Sequence, residues 1–244
     1  MKVSIVMACH NTSKFVENAI RSVANQTYKD WELIIVDDAS TDDTIESVVK
    51  NLAKFNITKK SRVFFHNENF GYAKTLHDAI TFSSGELTAV LDSDDSLSPT
   101  VLSLVVPPHA SNKNISLVYT NYMVCNSNLQ NVRLIENFQI PKRRSYIEYM
   151  KGVSHLKCFK KNLYEKTEGI DQTLLKSVDK DLILKLEEVG KFYHVNTLGY
   201  FYREHRNNLS NSFFKRPKEE QVKIRQDRKN IVENARLRRK LGIN

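Results

Sequence analysis

Along the first hundred residues, apolar runs of strand length alternate with segments whose apolar positions recur every three or four residues. Residues 2–8 (KVSIVMA), 32–36 (ELIIV), 62–65 (RVFF) and 87–91 (LTAVL) predict strands that are apolar on both faces, as in a sheet covered on each side. Between the first two, Phe15, Val16, Ala19, Ile20 and Val23 lie at helical spacing. Ile45, Val48, Val49 and Leu52 form the stripe of a second helix that Ser40 or Thr41 can cap, and residues 73–82 predict a third. Such strand–helix repetition predicts an α/β chain with a parallel, doubly wound sheet whose ligands sit at the carboxyl ends of the strands. Beyond residue 117 the pattern is mixed: a strand at 117–120, a helix near 146–150 and another at 179–189. In that last helix Leu182, Leu186 and Val189 share a face, with Lys185 and Glu188 away from it. Residues 213–244, with Pro217 near their start, read as a basic helical appendage.

The segments that follow the predicted strands are polar and mostly acidic. They are Cys9, His10 and Asn11; Asp37 and Asp38; His66, Asn67 and Asn69; and Asp92, Ser93, Asp94 and Asp95. In Asp92-Ser93-Asp94 the two carboxylates are one residue apart and face the same side if the extended geometry continues. A Mg²⁺ or Mn²⁺ ion bridging two phosphates takes one or two such carboxylates and completes its shell with phosphate and water. An EF-hand starting at Asp92 is excluded, because its sixth position is Leu97 instead of Gly and its twelfth Ser103 instead of Glu. A glycosidase pair must flank a sugar bond from two sides, which neighbours on one turn do poorly. Neither GxGxxG after the first strand nor GxxxxGK[ST] anywhere is present. A nucleotide diphosphate would therefore need another neutralising group, and a metal held by Asp94 is the obvious one.

Composition narrows the class. With 244 residues, 41% hydrophobic, and only 12 Gly plus Pro (7 + 5), the chain is expected to be globular with one large core. Lys plus Arg exceed Asp plus Glu by 37 − 28 = 9, a balance that favours phosphates, anionic lipid or acidic polysaccharide without choosing among them. Cys9, Cys125 and Cys158 are far apart and fit neither a disulfide framework nor a zinc site, which suggests a reducing compartment. No run of 18 apolar residues predicts a membrane span, and the first residues read as a strand instead of an export signal. The basic tail, with Arg225, Arg228, Lys229, Arg236, Arg238, Arg239 and Lys240 among Ile224, Ile231, Val232, Ala235 and Leu237, suits an anionic membrane, a partner subunit, or packing on its own domain by the apolar stripe.

In order and spacing, VSIVMACHN, WELIIVDDASTDDT, NENFGYAKTLHDAI and SGELTAVLDSDDSLSP resemble the nucleotide-binding half of family-2 glycosyltransferases with the GT-A fold. GVSHLKCFKKNLYEKTEGI, SVDKDLILKLEEVGKFYHVN and REHRNNLS are similar to the glucuronosyltransferase half of bacterial chondroitin and hyaluronan synthases. Together these segments cover most of residues 2–210. The resemblance implies a GT-A catalytic domain over 1–212, Rossmann-like, with a mostly parallel central sheet flanked by helices. Its nucleotide-binding half would be 1–98 and its acceptor-binding half 99–212, with the helical tail at 213–244.

The resemblance also assigns roles. Asp38 would bond a uracil base against which His10, where relatives often have Tyr, packs. Ala8, Asn69, Gly71 and Ser93 would line the UDP-sugar. Asp92 would hold the ribose, and Asp94 a metal that His205 also ligates. Lys74 would approach the diphosphate or a sugar carboxylate, with a solvated helix lysine as the alternative. Asp179 would be the catalytic base, although Val178 stands where relatives commonly carry Glu. Asp181 would cap or support the helix and lie near the acceptor. His155, in the 152–159 stretch, would line the acceptor site or else be a packed core residue.

The activity implied is Mn²⁺- or Mg²⁺-dependent, inverting transfer from a UDP-sugar, UDP-glucuronic acid included, to a hydroxyl of a glycan or lipid-linked glycan in capsule or surface polysaccharide synthesis. Such an enzyme would be cytoplasmic, with peripheral contact at the inner face of the membrane through the tail, and would not bind nucleic acid. The alternatives are an inactive sugar-nucleotide-binding relative and a basic nucleic-acid-binding protein; acidic strand ends that repel phosphate disfavour the latter.

Overall fold

The computed structural model describes residues 1–141, 144–206, 208 and 216–242. The expected boundary between 212 and 213, and Asn207, Leu209 and Ser210 of the HRNNLS stretch, lie outside these residues.

The first half follows the predicted alternation: β1 (Val3–Cys9), α1 (Val16–Ala24), β2 (Trp31–Asp37), α2 (Thr44–Lys54), β3 (Ser61–Phe65), α3 (Tyr72–Phe82) and β4 (Leu87–Val90). The order continues with β5 (Ser96–Leu97), α4 (Val101–Ser111), β6 (Ile115–Cys125), β7 (Asn131–Ile135), α5 (Tyr146–Tyr149), β8 (Lys157–Lys160), α6 (Lys161–Tyr164), α7 (Val178–Val189), β9 (Lys191–Arg203) and α8 (Lys218–Leu241). One sheet runs β3-β2-β1-β4-β8-β6-β9-β5, with β7 on the far end of β6. The β3-β2-β1-β4 side is parallel; β8 enters antiparallel, and β6 and β9 are again parallel. Because β4 pairs with β8 and β5 with β9, the two expected halves share a continuous sheet.

Apolar side chains fill both sheet faces, as the unbroken strands require. On one side Ile5, Met7 and Leu33 meet Ile20, Val48 and Val105; on the other Val6, Ile34 and Val36 meet Leu76, Ile80 and Leu182. Val49, expected on the α2 stripe, is exposed, since the buried arc of that helix is narrower. Neither Ser40 nor Thr41 caps α2. Its cap position is Asp43, while Ser40 is drawn back to Asp37, donating its N–H at 2.9 Å and its hydroxyl at 2.6 Å.

At the rear of the sheet, Glu32 on β2 accepts from the Ser4 hydroxyl (2.6 Å), the Ser84 N–H (2.6 Å) and Lys2 (3.0 Å), with Arg62 at 3.3 Å. Burial opposes its charge, but these donors together hold the carboxyl down at about 2.

The tail packs on its own domain. Ile224, Ile231 and Ala235 of α8 are buried, Arg238 forks onto Glu188 at 2.8 and 3.0 Å, Arg239 reaches Glu187 at 2.5 Å, and Arg228 donates to Ser177 at 3.1 Å. Among the described residues no helix is long and apolar enough to cross a membrane.

Candidate functional site

The polar residues converge on the carboxyl edge of the parallel strands. The backbone itself joins their ends: the Asp38 N–H donates to Cys9 O and the His66 N–H to Asp37 O. Of the two aspartates ending β2, Asp37 closes its own turn through Ser40. Asp38 is buried and organises the next loop instead: it accepts the Phe70 N–H at 2.9 Å, the Gly71 N–H at 2.8 Å and the His66 ring at 2.8 Å. Gly71 makes this possible, because its φ of +89° is a conformation that other residues rarely adopt.

His66 contacts Asp78 at 2.9 Å through its other nitrogen. Lys74 grips both Asp78 oxygens, at 2.5 and 2.7 Å, so this lysine lies in a chain running Lys74–Asp78–His66–Asp38. Exposed His10 bonds the Asp38 carbonyl through Nδ1 at 2.8 Å, and its Nε2 faces the Asn69 amide at 3.0 Å. With Nδ1–H spent on a carbonyl, Nε2 is the acceptor in this arrangement. Ala8 stands half-buried one residue before the end of β1.

Beyond β4 the chain turns through Asp92-Ser93-Asp94-Asp95, and each carboxylate has its own partner. Asp92 accepts from the Tyr72 hydroxyl at 2.9 Å. Burial raises the Asp92 pKa, a rise that the Lys157 charge opposes and Asp94 reinforces. Ser93 is buried against the Cys9 thiol. Asp95, wholly buried, accepts from the Tyr200 hydroxyl (2.8 Å) and the Arg203 N–H (2.7 Å). Its desolvation lifts its pKa well above the ordinary range. Arg203 donates to the Asp94 carbonyl at 2.6 Å and lies 4.8 Å over the Phe15 ring. These contacts pin the turn from beneath, leaving Asp94 to face outward.

Asp94 Oδ2 meets His205 Nε2 at 2.8 Å, and the imidazole rests 4.5 Å from the Phe15 ring. The pair fits a divalent cation. Adjacent ligands of an octahedral ion with bonds of about 2.1 Å stand about 3 Å apart, close to the separation found. Among the described residues no group of three or more His, Cys, Asp or Glu is arranged so that it could hold a metal ion, so at this pair the protein would supply two ligands and the diphosphate and water the rest.

Asp179 lies in the first turn of α7 and is exposed. Its charge reaches Tyr72, Asp92 and Tyr146, which places it at the same mouth as the Asp92 turn. Asp181, expected beside an acceptor, is buried and bonded to Lys185 at 2.8 Å; Lys185 in turn donates to Gly169 O at 2.8 Å. It is unavailable to a substrate, and Lys185 is inside instead of on the outer face. His155 stacks on Tyr200 at 4.4 Å and Tyr202 at 5.5 Å, and burial keeps its imidazole neutral by pushing its pKa well below the ordinary value.

Sequence reasoning left out Tyr72, Lys157, Tyr200, Arg203 and a role for Asp95. Only Tyr72, directly after the NFG turn, and Asp95, inside the acidic run, carried a local signal; the others arrive on β8 and β9 through sheet pairing.

The family described as "Glycosyl transferase family 2" matches residues 4–167. The chain is 30% identical over 212 residues to a chondroitin synthase of Pasteurella multocida, a match spanning 85% of this chain and 21% of that protein. It is also 30% identical to an Escherichia coli UDP-Glc:alpha-D-GlcNAc-diphosphoundecaprenol beta-1,3-glucosyltransferase, over 71% of this chain and 61% of that one. The chain thus spans about a fifth of the length of the synthase. Its fold is that of GT-A glycosyltransferases. Staphylococcus aureus TarS residues 1–349 in complex with UDP-GlcNAc superposes with a TM-score of 0.69 at 19% identity, over 86% of this chain and 61% of that one. A Pyrobaculum calidifontis mannosyltransferase in complex with GDP-Man and Mn²⁺ gives 0.61 at 18%, over 83% and 56%.

Proposed function

Because the chain belongs to glycosyltransferase family 2, we propose that it is an inverting, divalent-metal-dependent enzyme that moves a sugar from a UDP-sugar, UDP-glucuronic acid included, to a hydroxyl of a glycan or lipid-linked glycan. The observation that carries this reading is the convergence at one mouth of three differently dressed carboxylates: Asp92 bonded to Tyr72, outward-facing Asp94 beside His205, and exposed Asp179. The relatives named for chondroitin synthesis and for glucosyl transfer onto a diphosphoundecaprenol, and the UDP-GlcNAc complex, support the donor class.

In this mechanism Asp38 and His10, held by the 69–71 loop, receive the base, and Asp92 receives the ribose. Asp94 and His205 would hold the cation, whose charge would steady the departing diphosphate. Asp179 takes the proton of the acceptor hydroxyl while that oxygen bonds to the anomeric carbon, and the bond to the diphosphate breaks on the opposite face. A carboxylate suits this task when it is open to solvent and its acceptor, as Asp179 is. Positioned bases contribute roughly 10² to 10⁴ in rate. Asp179→Asn should therefore keep UDP binding by calorimetry and lose at least about a hundredfold in UDP release. Near-normal turnover in that variant would remove Asp179 from its role.

A further inference from the structure

Behind Asp92 lies a buried cation that the mechanism above does not use. Lys157 opens β8 and pairs in register with Val90 of β4, two residues before Asp92. Cross-strand partners share a sheet face, so Lys157 lies on the Val90 side of the sheet, and its charge reaches Asp92 two residues beyond. Lys157 is 3% exposed, yet among the described residues its ammonium makes no hydrogen bond and no ion pair within 4.0 Å. The carboxylate it influences most directly, Asp92, already accepts from Tyr72. Lys157 also acts on His155, two residues earlier in the chain, whose imidazole is neutral and whose carbonyl is taken by the Thr120 N–H.

An ammonium carries three donors and is strongly hydrated; with Lys157 3% exposed and no protein group bonded to it, those donors are left for water or for a ligand group in the working state. Every other buried lysine has a partner: Lys160 donates to Asn112 O, Lys185 to Asp181 and Gly169, and Lys176 also makes a contact. Lys157 differs from them in standing beneath the mouth formed by Asp92, Tyr72 and Asp179. A ligand group that takes up these donors would enter through that mouth, where the ammonium is the group able to attract an anionic oxygen.

We propose that Lys157 binds an anionic oxygen of the donor, belonging either to the diphosphate or to a carboxylate on the sugar. The proposal rests on the reading of the chain as a UDP-sugar transferase. It makes Lys157 the residue through which the pocket senses donor charge, separate from the Asp94–His205 pair.

Calorimetry on the full chain with Mn²⁺ tests it, using UDP, UDP-glucose and UDP-glucuronic acid as the three ligands. Lys157→Met replaces the charge with an apolar chain of similar length, and should lower affinity more than tenfold for at least one ligand. A loss shared by all three assigns the oxygen to the diphosphate; a loss confined to UDP-glucuronic acid assigns it to the sugar carboxylate. Lys157→Arg, which keeps the charge, should recover most of the affinity in either case. Should Lys157→Met fail to melt cooperatively, Lys157→Gln carries the same comparison. Affinities within twofold of wild type for all three ligands overturn the proposal while leaving the transferase reading intact. A wild-type chain that binds none of the three overturns that reading itself.

Discussion

Asp181 and Lys185 form an ion pair inside α7, one turn from the proposed base. Their side chains are 6% and 5% exposed, and the Nζ–Oδ2 distance is 2.8 Å. Removing the carboxylate in Asp181→Ala strands the ammonium, whose remaining contact within 3 Å is the Gly169 carbonyl; Glu168, at 3.9 Å, is largely solvated. Breaking one side of a buried pair costs about 3–5 kcal/mol, whereas replacing both sides by apolar groups of similar volume is neutral or stabilising. For a chain of this size, about 2–4 °C per kcal/mol turns the single loss into a Tm fall of roughly 6–20 °C. Asp181→Leu with Lys185→Met should melt within a few degrees of wild type. Burial already raises the Asp181 pKa despite the lysine, so the site disfavours the charged carboxylate and the apolar pair suits it. Urea unfolding followed by circular dichroism, combined with UDP-release kinetics, measures both consequences. A single-variant loss below about 1 kcal/mol refutes the reasoning. So does a folded double variant that has lost turnover, because that would return Asp181 to the acceptor.

Three further outcomes are expected. Asp94→Ala and His205→Ala should each abolish the Mn²⁺-dependent part of UDP binding, and UDP affinity that is equal with and without Mn²⁺ in the wild type would contradict the cation site. His109 is buried with its pKa pushed down to about 4 by desolvation, so the unfolded chain takes up its proton first as pH falls. Stability should drop by about 3 kcal/mol between pH 6.5 and 4, and His109→Leu should flatten that part of the pH–stability curve; an unchanged slope refutes it. Burial pushes the Cys9 and Cys158 thiols up to about 12 and raises Cys125, so iodoacetamide at pH 8 should label all three only after unfolding. Rapid labelling of the folded chain would contradict the packing.

The parallel side of the sheet was readable because each strand there is a pure apolar run and each helix carries its own stripe. The mixed side was readable only in part: the strand at 117–120 falls within β6, and the helices near 146–150 and at 179–189 match α5 and α7. Helix α4 contains Pro107 and Pro108, which forbid it on propensity, and packing of Val101, Leu102, Val105 and Val106 overrides them. Strand β8 (KCFK) is short and carries lysine at both ends, so no period marks it. β9 reads as a polar stretch because much of it is only half-buried. The acidic turn was found from Asp92 and Asp94, since their spacing is local. Tyr200 and Arg203 escaped because they lie more than a hundred residues from the turn they support, joined to it only through the β5–β9 pairing.

The Glu32 knot sits at the opposite end of β2 from Asp38. Six residues of strand at about 3.3 Å each separate the two by roughly 20 Å, at which two unit charges interact by only about 1 kcal/mol or less at an effective dielectric constant of about 20. One strand therefore carries two acids that are electrically deaf to each other. Charges at the mouth can be added or removed while the knot that clamps Ser4 to Ser84 keeps its ionisation, so the chemistry of the mouth and the integrity of the scaffold are separately adjustable in this chain.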